Sequence, residues 1–212
     1  MIMEELDLLK KDWDKNKNSF EQVSEKEIYK MLHKKSSSVV KWIFIISVLE
    51  ILLWTLVSVC FNTDDYFKHV KFNGFSMYLQ VLTFFNYGVV LVFIYLFYKN
   101  YVSISTTVST KQLMKDILKT RKTVNYYIWY NLGMVALSLI IGFIIALAYN
   151  PDISVLSNKI SNDGKAMAIT IGVLVLTIGA FLGVFWLFYR LLYGILLRKL
   201  YANYKELKKI DL

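Results

Sequence analysis

The sequence predicts an all-α integral membrane protein: a four-helix bundle whose helices carry amphipathic extensions on one side of the bilayer. Three observations predict it. The 212 residues are 56% hydrophobic with one proline and a mean hydropathy of +0.44, a composition far from that of a soluble domain. Four apolar runs, at about 39–61, 77–98, 126–149 and 166–189, each supply the roughly 20 residues that cross a hydrocarbon layer about 30 Å thick. Lys and Arg are concentrated on alternate connections, as they are when cytoplasmic loops retain them.

Residues 1–38 form a polar, cytosolic N-terminal segment with eight Lys and eight Asp or Glu. Within it Ile2, Leu6, Leu9 and Trp13 recur at spacings of four, three and four, the stripe of an amphipathic helix. After a break at 16–19, Ser24 stands three residues before Glu27, the pattern of a capping box. Val23 and Ile28 are placed as a hydrophobic staple around it. The helix that starts there is expected to carry Ile28, Met31, Leu32 and Lys35 on towards the first run, loosened at Ser36–Ser38.

The first run, VVKWIFIISVLEILLWTLVSVCF, holds a carboxylate at its middle, Glu50. The connection 62–76 balances two Lys with two Asp, and 150–165, with its Asn-Pro and Asp-Gly turn signals, does the same. The middle connection differs. It carries Lys99, Lys111, Lys115, Lys119, Arg121 and Lys122 against Asp116 alone. Ser109 or Thr110 is expected to cap a helix there, bearing Leu113, Ile117 and Val124 and continuing into the third run. Past the fourth run, residues 190–212 form a basic helix on which Tyr193, Leu197, Leu200, Tyr204 and Leu207 keep helical spacing. The middle connection, the C-terminus and the N-terminus, flanked by Lys34, Lys35 and Lys41, are therefore expected inside. Trp42, Tyr98, Tyr126, Tyr127, Trp129, Tyr149, Trp186 and Tyr189 read as interfacial aromatics.

Glu50 is the sharpest candidate for chemistry. A carboxylate at the centre of a span costs roughly 2.5–3.5 kcal/mol on insertion scales, so such a residue is expected to face the bundle interior. Ser47, Trp54 and Ser58 share its helical face, and the midpoints of the other runs fall near Tyr87, Ser138 and Thr177. A polar layer of Glu50, Tyr87, Ser138 and Thr177 follows. In one reading the layer is structural, Glu50 donating to one hydroxyl and accepting from another to set helix register. In the other it is a proton or cation site. Gly179 with Gly183 and Gly142 with Ala146 form small-xxx-small pairs, expected to bring the third and fourth helices close or to support a homo-oligomer.

Several classes are disfavoured. Cys60 is the single cysteine, so neither an intramolecular disulfide nor a thiol cluster can form. His33 and His69 fall on opposite sides of the membrane and cannot share a metal. Walker, GxGxxG and HExxH patterns are absent, so no metal, cofactor or catalytic residue is assigned. The net charge of +9 sits beside the bilayer, where it meets anionic head groups; nucleic acid is not expected as a partner. The N-terminus lacks the apolar core of a cleavable signal, so the first run is expected to direct its own insertion.

The segment EELDLLKKDW, followed by SEKEIYKMLHKKSSSVVKWIFIISVLEILLW, resembles an uncharacterised family of four-span membrane proteins from flavobacteria and their relatives. The resemblance implies a bacterial cytoplasmic-membrane protein and supplies no activity or site residues. Members of that family can carry a carotene-cleaving oxygenase label. Such oxygenases are β-propellers that hold iron through four histidines, and this chain has two. The function expected from the sequence is non-enzymatic: regulation or scaffolding, with Leu6, Leu9 and Trp13 docking a cytoplasmic protein. The alternative is a small transporter, channel or pore subunit using Glu50. A lipid-directed enzyme drawing on Asp152, Asp163 and His69 ranks third.

Overall fold

The computed structural model describes residues 10–11, 24–60, 75–149 and 164–210. Four helices account for nearly all of them: α1 (Glu25–Cys60), α2 (Phe75–Thr106), α3 (Thr110–Tyr149) and α4 (Gly164–Ile210). No strand occurs among the described residues. Each helix is long and apolar enough to cross a membrane, and each of the four predicted runs falls on one of them. With 32 to 47 residues apiece, the helices reach about 48–70 Å, well beyond the roughly 30 Å of hydrocarbon.

The helices pack as an up-down-up-down ring. α1 lies against α2, α2 against α3, α3 against α4, and α4 closes back on α1. Short connections make antiparallel neighbours, and the α2–α3 connection is only residues 107–109. That turn defines one end of the bundle, where α1 begins and α4 ends.

α1 starts where its sequence says it should. The Ser24 backbone N–H donates to the Glu27 carboxylate at 2.9 Å, and the Glu27 N–H donates back to the Ser24 hydroxyl at 3.3 Å. This reciprocal pair satisfies two donors that a helix start leaves open. Val23, its proposed staple partner, lies outside the described residues. The expected loosening at Ser36–Ser38 does not occur, because α1 is helical throughout. Ser36 is instead fully buried, accepting a hydrogen bond from Asn203 of α4 at 3.1 Å. A serine run inside a helix weakens propensity only slightly, and tertiary packing overrides it.

The core occupies the turn-end half. Leu32, Val40 and Ile43 from α1, Phe97 and Ile104 from α2, Leu113, Ile117 and Val124 from α3, and Tyr193, Leu200 and Leu207 from α4 are all essentially inaccessible and belong to one cluster. Polar ties lace the same half. Asp116 is buried and accepts from Ser103 at 2.9 Å, Thr107 at 3.2 Å and the Gln112 amide at 3.1 Å, which fixes the α2–α3 turn. Tyr29 of α1 donates to the Thr107 carbonyl at 3.1 Å. Towards the other end the picture reverses. Among the side chains whose burial is described, none of α1 beyond Glu50, of α2 before Val90, of α3 beyond Leu132 or of α4 before Tyr189 is buried.

The glycine pairs do not bring helices together. A methyl group placed on Gly142, Gly179 or Gly183 would meet nothing within 4 Å, so no close backbone approach needs them. Gly133 and Gly183 line an open groove of about 440 Å³ between α3 and α4, bordered by Trp129 and Trp186. The expectation of tight α3–α4 packing at these residues is therefore corrected.

Candidate functional site

Glu50 faces the interior, 5% exposed, and ties together the middles of two other helices. Tyr189 of α4 donates its hydroxyl to Glu50 Oε1 at 2.6 Å. Tyr127 of α3 and Tyr193 of α4 both donate to Oε2, each at 3.0 Å. Local structure explains the convergence. Tyr189 and Tyr193 are four residues apart, so their side chains rise from one face of α4, and their rings lie 6.1 Å apart. Tyr127 meets both edge-on, at 6.3 and 6.0 Å between centroids. Behind it, Phe93 and Phe97 of α2 present their rings at 5.4 Å, which completes an aromatic cage from α2, α3 and α4 around the carboxylate of α1.

A carboxylate offers about four lone-pair sites, and three phenols use three of them. When Glu50 carries a proton, one hydroxyl has to turn and accept instead. Either way the group is satisfied inside the protein, which is what an acid in an apolar bundle requires.

The predicted polar layer is corrected by this geometry. Tyr87 and Ser138 line a cavity that reaches Glu50, but they are not its hydrogen-bond partners. Thr177 is exposed and donates to the Val173 carbonyl of its own helix at 2.8 Å. The error was one of level. Glu50 is the midpoint of its apolar run, yet it stands beside Tyr127 and Tyr189, which bound the third and fourth runs. The first run begins early because Val39, Val40 and Ile43 are apolar for the sake of the turn-end core. Hydropathy does not distinguish a residue buried in protein from one facing lipid.

The aromatic residues divide accordingly. Trp42, Tyr98, Tyr126, Trp129 and Trp186 are exposed, as interfacial residues are. Arg190 lies 4.9 Å over the Trp186 ring and Lys122 lies 5.7 Å from that of Tyr126. Tyr127 and Tyr189, placed with that belt by sequence, are 1% and 3% exposed and belong to the cage. Tyr193 belongs to a helical stripe by sequence, and its bond to Glu50 emerges only in the fold. The available signal was the four-residue spacing of two tyrosines beside a lone intramembrane acid.

The cavity lies on the loop side of the cage, about 380 Å³ in volume, with walls from all four helices. Trp54 closes one side, its indole stacked on Phe185 at 5.7 Å. Two amides border it. Asn86 accepts from Tyr130 at 3.0 Å, and Asn131 donates to the Tyr127 carbonyl at 2.8 Å.

Other candidates fall elsewhere. Leu6, Leu9 and Trp13, with His69, Asp152 and Asp163, lie outside the described residues. His33 is on α1, its ring 5.9 Å from that of Tyr29. No grouping of three potential metal ligands occurs among the described residues.

Searches of curated proteins and of solved structures returned no match. One family model matches residues 26–212, from the second residue of α1 to the C-terminus, so it contains the cage, the cavity and the turn-end core. The chain therefore belongs to the family described as a domain of unknown function, DUF8845.

Proposed function

We propose that the protein is a non-enzymatic, multi-pass protein of the bacterial cytoplasmic membrane that regulates or scaffolds, docking a cytoplasmic protein through its N-terminal segment. One observation carries the reading: the helices continue unbroken from the membrane-crossing runs into a close-packed layer at the turn end. α1 opens that layer at the Ser24–Glu27 cap, ten residues after the Leu6, Leu9 and Trp13 stripe. From that cap one continuous helix leads to Glu50. Side-chain charge supports a cytoplasmic turn end. Lys26, Lys30, Lys34, Lys111, Lys119 and Lys205 are exposed on it, suited both to retention inside and to anionic head groups.

The alternative, a transporter or channel using Glu50, finds support in the cavity that reaches the carboxylate. It finds less on the other side, where Ile43, Phe97, Val124 and Tyr193 fill the bundle beyond Glu50. A conduction path would have to open that packed layer. Three phenols already holding the carboxylate favour a structural node.

The test is a deletion that spares the fold. Removing residues 1–23 keeps the Ser24 cap and the buried Leu32 and Ser36. Proteins crosslinked to the full chain in cells should be lost from this variant and from a Leu6→Asp, Leu9→Asp, Trp13→Asp triple variant. An unchanged set of crosslinked proteins would discard the docking reading. Proton flux in proteoliposomes that Glu50→Gln abolishes, with assembly intact, would favour the alternative.

A further inference from the structure

We propose that the cavity beside the tyrosine cage binds a membrane-soluble molecule with an apolar body and a neutral hydroxyl head, a long-chain lipid alcohol. The shape fits a tail with a head. Along α3 the lining runs from Tyr127 to Leu139, about 18 Å at the helical rise. Its 380 Å³ lies within the range of small-molecule pockets, roughly 300–1,000 Å³. Met134, Phe181 and Phe185 make the walls apolar, and the two amides, Asn86 and Asn131, lie towards the Glu50 end.

The head group follows from what the two amides leave unused. Asn86 spends its oxygen on Tyr130, and Asn131 spends its nitrogen on the Tyr127 carbonyl. Among the described residues, the Asn86 nitrogen and the Asn131 oxygen have no other hydrogen-bond partner. Within a bilayer a donor and an acceptor left open are costly. A hydroxyl is the smallest group that both donates and accepts. Charged heads fit poorly. No Lys or Arg lines the cavity to receive an anion, and the single carboxylate, Glu50, is already engaged by three phenols.

The site is independent of the docking reading, and removal of residues 1–23 should leave it unchanged. The test uses the full chain in phosphatidylcholine nanodiscs with a diazirine-bearing hexadecanol as probe, and crosslinks mapped by mass spectrometry. Labelling should saturate, concentrate on peptides containing Trp54, Met134 and Phe185, and be displaced by hexadecanol. Asn131→Leu and Asn86→Leu should each weaken the probe's apparent Kd about tenfold, the effect of one hydrogen bond of ordinary strength. Ser138→Trp fills the cavity from an exposed position without touching either amide, and should abolish saturable labelling even if an asparagine variant fails to assemble. The proposal is overturned if labelling is unsaturable and spread over lipid-facing residues such as Leu176 and Val184. It is equally overturned if Ser138→Trp labels as the parent does, or if hexadecane, hexadecylamine or palmitic acid displaces the probe as well as hexadecanol.

Discussion

The turn-end half of the bundle buries a continuous apolar core, whereas beyond Glu50 every side chain whose burial is described keeps some exposure. Both halves are rich in Leu, Ile, Val and aromatic residues, so composition does not explain the difference. On the proposed membrane placement, the surroundings do. Apolar side chains in water are driven together by the surface they remove from it. In lipid that drive disappears, because acyl chains solvate leucine as well as another leucine does. Ile117 is fully buried and Leu176 is 74% exposed, although both lie on helices long enough to cross a bilayer. Glu50 stands where the two regimes meet, tying α1 to α3 and α4 at the level where apolar packing gives out.

Removing that tie should have the largest effect. Glu50→Ala leaves three inward-pointing hydroxyls without their acceptor, and at about 1–3 kcal/mol for each such group the loss should exceed about 3 kcal/mol. Thermal unfolding in detergent micelles would show it, with Glu50→Gln losing less because its amide still accepts. If Glu50→Ala melts like the parent, the cage is not what joins the halves.

The next comparison sets the halves directly against each other. Ile117→Ala should cost about 2–5 kcal/mol, since a close-packed core relaxes little around a hole. Leu176→Ala should stay within about 0.5 kcal/mol. Equal losses would break the distinction between a close-packed half and an open one.

Within the site, Tyr189→Phe should cost about 1–2 kcal/mol, Tyr189 making the shortest bond to Glu50. Thr177→Val should change stability by less than about 0.5 kcal/mol, because its hydroxyl serves only its own helix. The pair sharpens the boundary between residues inside the polar node and those merely assigned to it by level.

The smallest effect lies at the start of α1. Hydrogen bonds from the Ser24 backbone and side chain hold the exposed Glu27 carboxyl below its ordinary value of 4.5. A lowered folded-state value means the cap contributes fully above that ordinary value and loses its contribution as pH falls through the folded one. Amide exchange in the first turn of α1 should therefore lose protection at low pH, after correction for intrinsic rates, while the Ile117 region does not. A pH-independent first turn would remove the capping-box account.

Much of this fold was legible. The Ser24–Glu27 spacing located a helix start to the residue, since a capping box is a local arrangement of one turn. The stripes Leu113, Ile117, Val124 and Tyr193, Leu200, Leu207 identified buried faces outside the apolar runs, because helical periodicity marks the side that packs. Glu50 was visible as an inward-facing acid, because an acid is costly anywhere else in such a run. Its partners were not. Tyr127 and Tyr189 look like interfacial tyrosines by position, and nothing in a one-dimensional run states which level of one helix meets which level of another.

The sequence by itself determined four helices long and apolar enough to cross a membrane, their order, the start of α1 and the burial of one carboxylate. These follow from length, periodicity and the cost of charge, all of them local properties. Only the tertiary structure decided that three phenols rather than Tyr87, Ser138 and Thr177 hold Glu50, and that a cavity bordered by two half-satisfied amides adjoins it. Those features depend on how far each helix slides against its neighbours. That shift is set by the summed packing of the turn-end core, where Val40, Ile104, Ile117 and Leu200 interlock, and no single run contains it.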